Sequence, residues 1–182
     1  MNKKKKELIS QIIEIELDMF QNVRNMNPSS CKEHPNAFKL MREMGHIALS
    51  KETLESYYED LKKAKSENRN LMTEKYAKMT YQSLKSKSNK RIEEIVSVES
   101  EWLKSLSTKF PHIILHKDDY FKSYLTSELE TYSQKTLKLY YNDIITSKEN
   151  RINLARIKYE YLVNSLGYDS IEEAEKSKSN PQ

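Results

Sequence analysis

Two glutamates fall where a helical bundle keeps its apolar core. Glu16 lies four residues after Ile12 and four before Phe20, and Glu99 stands likewise between Ile95 and Leu103. Both therefore sit inside the apolar stripe of a helix. An unpaired carboxylate is costly to bury, so each requires a cation, a phenol, a metal or a ligand. Tyr57 and Lys75 for Glu16, and Tyr140 and Lys158 for Glu99, are the candidates that recur in parallel. These six residues form the candidate ligand-binding set. The expectation is that the two glutamates meet as the acidic floor of one site, where mutual repulsion raises the pKa of one of them. A structural polar contact repeated by ancestry is the plainer alternative.

Other candidate chemistry is thinner. Cys31 is the only thiol and the catalytic candidate, in a polar loop with His34, whose ring would lower the thiol pKa if charged and near. Flanked by Ser29, Ser30, Lys32 and Glu33, it is expected to be accessible. A cysteine nucleophile also needs an oriented base and an oxyanion hole, and no pattern supplies either. Glu43-x-x-His46 is half of a di-iron motif, which requires such a pair on two helices; at the matching place further along stand Thr126 and Leu129. His112 and His116 lie four apart behind Pro111 in an expected loop, without an acidic motif at metal-site spacing. No metal and no cofactor is expected. The pairs Tyr57-Tyr58 and Tyr140-Tyr141 could line a pocket or fill a core, since a buried tyrosine brings a hydroxyl into an apolar wall.

The parallel placement of these residues is general. Sliding the chain by 83 residues lays 7–82 over 90–165 without a gap, with 17 of 76 pairs identical, and with 10 of 24 identical over 53–76 against 136–159. About 6 identities would arise by chance from this composition. The chain reads as a duplication.

The elements that must position these residues follow from periodicity. In the first copy one helix carries Ile9, Ile12, Ile13, Met19, Phe20 and Val23 and ends near Asn25, because Pro28 disfavours helix in the residue before it. After a loop over 28–35, a second helix runs over 36–49 with Phe38, Met41 and Ile47 inward. Ser50 caps a third with the stripe Leu54, Tyr57, Tyr58 and Leu61, and Asn70 caps a fourth with Met72, Tyr76 and Met79. The second copy predicts helices over 90–107 and 119–131, a cap at Ser133 before Leu137, Tyr140, Tyr141 and Ile144, and a cap at Asn153 before a helix over 154–166. Gly167 suits a left-handed C-terminal cap, Ser170-x-x-Glu173 opens a short extra helix, and the Lys/Ser-rich tail from Lys176 is expected to be disordered.

The fold class predicted is all-α: an internally duplicated helical bundle of two four-helix repeats related by a pseudo-twofold, plus a short C-terminal helix. The repeats span 7–84 and 90–167, with 168–182 appended and a linker at 84–89. Copies of this size sit near the lower limit for an independent core, so the halves are expected to share one.

Composition excludes several classes. Two glycines cannot build a phosphate-binding loop or a dinucleotide turn. The net charge of +4 comes from 25 Lys and 6 Arg spread among glutamates, which argues against nucleic acid. The lysines at 3–6 read as a solvated run, with a phosphate or membrane contact as the alternative. Glu14, Glu16 and Asp18 rule out a membrane span or signal core over 8–20. A single cysteine fits a reducing compartment, and a cytoplasmic protein is expected.

The segments 31–42, 68–79 (NRNLMTEKYAKM) and 131–141 (TYSQKTLKLYY) resemble an uncharacterised bacterial family known as a domain of unknown function, number 4125. The resemblance runs from Leu8 to Ala174. It includes Ser30-Cys31 in the first loop and a Gly-Arg-Asn-Leu stretch opening the fourth helix, from which this chain departs with Asn68 in place of the glycine. It implies a unitary fold and no activity. The functional expectation is a binding protein holding a small molecule or a protein partner between its repeats. An enzyme using Cys31 or the Glu16/Glu99 pair, and a structural adaptor without a pocket, are the alternatives.

Overall fold

The computed structural model describes residues 2–23, 33–81, 89–115 and 117–179, and among them nine helices and no strand occur. Helix α1 (Lys3–Gln21) starts at Asn2, whose side chain accepts the Lys4 amide, and buries Ile9, Ile12, Ile13, Met19 and Phe20 at helical spacing. Pro35 opens α2 (Pro35–His46) at the first helical position, where a missing amide is harmless. Ser50 caps α3 (Lys51–Ser66) by accepting the Thr53 amide at 3.2 Å, and Asn70 caps α4 (Leu71–Tyr81) by accepting the Thr73 amide at 2.9 Å. Asn89 caps α5 (Lys90–Lys109), which stops ahead of Pro111. After α6 (Asp118–Leu129), Ser133 caps α7 (Gln134–Glu149) and Asn153 caps α8 (Leu154–Ser165). A short α9 (Ile171–Ser179) follows.

Three helix ends share one device. Asn68, Arg151 and Gly167 have φ of 55°, 57° and 94°, and the amide after each reaches back to a carbonyl of the last turn, Ala64, Ser147 and Val163 respectively. The left-handed backbone at Asn68 is the reason a glycine suits that position, and asparagine tolerates it better than most residues.

α1 packs on α2, α3 and α4, and α5 packs on α6, α7 and α8. Three further contacts join these groups: α3 with α7, α4 with α6, and α2 with α8, while α9 leans on α8. The main apolar core draws Ile12, Phe20, Leu54 and Leu61 together with Ile95, Leu129, Leu137 and Ile144, so one core serves both stretches. A smaller one at the far end gathers Leu106, Phe110, Ile114, Val163 and Ile171. Where α3 meets α7, Asp143 accepts the Ser50 amide (2.9 Å) and the Thr53 hydroxyl (2.7 Å). Asp60 accepts the Ser133 amide (2.9 Å) and the Thr136 hydroxyl (2.6 Å) in the same manner. Each carboxylate thus reinforces the N-terminus of the helix across the contact.

Several boundaries differ from expectation. α1 ends at Gln21 because the Asn22 side chain folds back onto the Asp18 carbonyl at 2.8 Å and closes the last turn. The tail from Lys176 is helical through Ser179, held by Ile171 and Ala174 buried against the small core. In α2, Met41 points outward, 54 % exposed, and the inward face after Phe38 carries Arg42 and His46 instead. Cys31, its loop over 28–32, His116 and the linker at 84–88 lie outside the described residues. Among the described residues no helix is long and apolar enough to cross a membrane.

Candidate functional site

Glu16 is fully buried, and α1, α2 and α3 together place its partners. From α2, Arg42 sends Nε to Oε2 at 2.8 Å and Nη2 to Oε1 at 2.5 Å, a two-pronged bond that matches guanidinium to carboxylate. One turn on, His46 brings Nε2 to 3.1 Å from both oxygens. From α3 the Tyr57 hydroxyl donates to Oε1 at 2.8 Å. Arg42 also reaches across to α6, where Nη2 and Nη1 donate to Glu128 at 2.8 and 3.2 Å. Glu128 accepts in addition from Lys75 of α4 at 2.5 Å and from the Tyr132 hydroxyl at 3.1 Å. The Lys75 ammonium lies 3.3 Å from the centre of the Tyr124 ring, a close cation–π contact.

Burial would push both carboxyls up, but the positive Arg42 and the surrounding hydrogen bonds outweigh it. Glu16 comes down to about 2, and Glu128 falls well below the ordinary range with Lys75 adding to the effect. Burial lowers the Lys75 ammonium, opposed by Glu128 and aided by Arg42. Burial also drives the Tyr57 and Tyr132 phenols far up, each helped by a nearby carboxylate. Two carboxylates face a guanidinium, an ammonium and an imidazole. Every charged side chain in the cluster has a partner of opposite sign.

A smaller cluster surrounds Glu99. Tyr140 donates to one oxygen and Lys158 to the other at 2.6 Å. Tyr140, like Tyr57, has a phenol pushed far up by burial and its carboxylate. The rings of Tyr57, Tyr132 and Tyr140 run as a chain between the clusters, with centroids 4.5 and 6.3 Å apart.

The six expected residues are thus divided. Tyr57, Tyr140 and Lys158 take the expected partners, whereas Lys75 bonds Glu128 rather than Glu16, because Arg42 and His46 already fill the Glu16 oxygens. Glu16 and Glu99 do not form a shared acidic floor. Each is held by its own partners, and Glu16 is lowered, not raised, since its nearest charges are positive. Arg42 and Glu128, and the role of His46 as a Glu16 partner, do not show in apolar periodicity, because charged residues fall outside it. Two signals pointed to them: Phe38, Arg42 and His46 stand at i, i+4 and i+8, and 83 residues beyond Phe38, Arg42 and His46 stand Phe121, Leu125 and Leu129, with both leucines buried.

The metal motif is taken apart by its own helix. Glu43 accepts from the Tyr161 hydroxyl of α8 at 2.8 Å, while His46 turns to Glu16. His112 Nδ1 lies 2.5 Å from Glu175 of α9, a tether for that helix. Among the described residues no group of three His, Cys, Asp or Glu is placed to hold a metal ion.

Among the described residues, two grooves are notable on the surface. One, of about 590 Å³, lies between the start of α1, the end of α2 and the outer face of α8, lined by Lys6, Ile47, Ile152, Arg156, Ile157 and Tyr161 among others. The other, of about 570 Å³, runs along α3 and α7 and is acidic on its α3 side through Glu52, Glu55 and Glu59.

A family described as a protein of unknown function (DUF4125) matches residues 6–176. No curated protein and no solved structure matches the chain.

Proposed function

Because the chain belongs to this family of unknown function, we propose that it is a helical binding protein made by internal duplication. It holds its partner across the outer seam between the repeats, and the buried ionic cluster locks that seam from beneath. The repeats are 7–84 and 90–167, sharing one core about a pseudo-twofold. Exchanging α1–α4 with α5–α8 turns every major helix contact between them into another that is also present. The paired Asp143 and Asp60 bonds, the Asn70 and Asn153 caps, and the left-handed Asn68 and Arg151 all stand 83 apart and support the same reading.

The groove between α1, α2 and α8 is the observation that carries the binding function, since its walls come from both repeats. The cluster is complete without a guest. Positions 42 and 46 are matched by Leu125 and Leu129, so the helix pairing accepts leucine there and the charges serve something beyond packing volume. A network joining α1, α2, α4 and α6 through bonds that a slipped packing would break gives the seam one arrangement. Single-cysteine usage supports a cytoplasmic setting.

A small ligand seated at Arg42 and Glu128 is the rival, because those two groups are buried but keep 7 % and 8 % of their surface exposed. Native mass spectrometry of freshly purified protein separates the two. A retained species should persist in Arg42→Leu/His46→Leu/Glu128→Gln and disappear in Ile152→Arg/Ile157→Glu. The reverse pattern would make the cluster the site.

A further inference from the structure

The two halves of the chain give an internal comparison for the α8 groove. Ile47, Ile152, Ile157 and Tyr161 stand 83 residues from Glu130, Arg69, Glu74 and Lys78. On the other half these residues form ion pairs: Lys78 to Glu130 at 3.1 Å, and Arg69 to Glu74 through two bonds of 2.8 Å. On this half both ion pairs are replaced by three isoleucines and Tyr161, and Ile152 and Ile157 remain 44 % and 39 % exposed. A surface equivalent in fold is comfortable with charge. Contiguous exposed isoleucines in a concavity therefore mark a place that something covers.

The adjoining charge says what covers it. Residues 3–6 are four consecutive lysines in the first turn of α1, with no acidic residue among them. The helix dipole makes that end positive, so cations there cost stability rather than add it. Lys6 lines the groove, and Lys5 donates to the carbonyl of Ile47 on the groove wall at 2.8 Å, which ties the lysine run to the apolar surface. Arg156 stands on the same groove, held by Glu160 and Glu172. We infer that the groove receives an amphipathic helix of a partner protein, with apolar residues at i, i+3 or i+4, and i+7 on the isoleucines and acidic residues on the lysine run. Concavity favours a helix over a lipid surface, which would meet a convex or flat face. This inference rests on the seam being the binding surface.

The test is a selection of random 16-residue peptides displayed on phage against the full chain, followed by fluorescence anisotropy of the enriched peptides. The expected winners carry the apolar helical pattern with acidic residues at one end. Their affinity falls about tenfold or more, ~1.4 kcal/mol, in Ile152→Arg/Ile157→Glu. That variant rebuilds the ion pair of the other half and should keep the wild-type circular dichroism and melting temperature. Lys3→Gln/Lys4→Gln/Lys6→Gln should weaken binding and flatten its salt dependence. Winners that depend on the groove but are basic or not helical would overturn the partner class and leave the seam as the binding surface. Winners indifferent to the groove variant, or none, would overturn both. Groove-dependent co-sedimentation with phosphatidylserine–phosphatidylcholine vesicles, or groove-dependent dimerisation in analytical ultracentrifugation, would replace the helix by a membrane or a second copy.

Discussion

Arg42 bonds both buried carboxylates, Glu16 and Glu128, so its removal alone and its removal with its partners should have opposite consequences. Arg42→Leu deletes four charge-assisted bonds and leaves Glu16, fully buried, with only His46 and Tyr57. Breaking a buried pair from one side costs about 3–5 kcal/mol. At about 2–4 °C per kcal/mol for a domain of this size, the melting temperature should fall by roughly 6–20 °C. Arg42→Leu/His46→Leu/Glu128→Gln instead copies the leucines of the other half and leaves Glu16 and Lys75 to pair as Glu99 and Lys158 do. The triple variant removes the ion-paired Arg42 and Glu128 charges together. Replacing a whole buried network by apolar groups is neutral or stabilising by about 1–4 kcal/mol, so the triple variant should melt within a few degrees of wild type or above it. Differential scanning calorimetry and urea titration of the three proteins decide the matter. A triple variant as unstable as Arg42→Leu would refute the equivalence of the two halves, and an Arg42→Leu within about 1 kcal/mol of wild type would refute the energetic weight of the pairing.

Acid should unfold the protein in a defined window: because the folded pKa of Glu16 is about 2 against 4.5, its stabilisation, about 3 kcal/mol, is present above pH ~4.5 and lost as the pH falls toward 2. Urea titrations from pH 6 down to pH 3 check this, and a flat stability over that range would contradict it. At the alkaline end the raised phenols of Tyr57, Tyr132 and Tyr140 contribute stability that is present below their unfolded value of about 10 and lost above it. Ultraviolet titration should therefore show these three tyrosines, and Tyr124, whose phenol burial also raises, ionising only together with loss of the helical circular dichroism signal. Arg151→Gly should stabilise by about 1 kcal/mol by relieving a left-handed non-glycine residue, measured by thermal melting. Asp60→Ala and Asp143→Ala should each cost about 1–3 kcal/mol, and nearly equal amounts, because each strips the same two bonds from the opposite helix start.

Helix order, caps and the burial of Glu16 and Glu99 were open to reading along the chain because they depend on residues three or four apart. Ser50 caps α3 through Thr53, and Asn153 caps α8 through Arg156, each within three residues. The partners of Glu99 were legible as well, since Tyr140 and Lys158 stand 83 residues after Tyr57 and Lys75, as Glu99 does after Glu16. The direction of α2 was not. Taking Met41 as inward places its face about 100° from the true one, because the rule that apolar residues face the core fails where a charge meets its counter-charge.

What the sequence by itself determined is local: the helical segments, the caps at Ser50, Asn70, Ser133 and Asn153, most apolar stripes, and the requirement that two buried carboxylates find partners. Which partners they find was decided only by the tertiary structure. Arg42 and Glu128 are 86 residues apart, and Lys75 and Glu128 are 53 apart. No periodicity connects them; only the packing of α4 against α6, and the reach of Arg42 from α2 to α6, does. The same holds for the groove, whose isoleucines belong to α2 and the α8 region and become one surface only where those elements meet. Short-range hydrogen-bond geometry is written in consecutive residues, whereas the pairing of charges across a core depends on which helices come to touch.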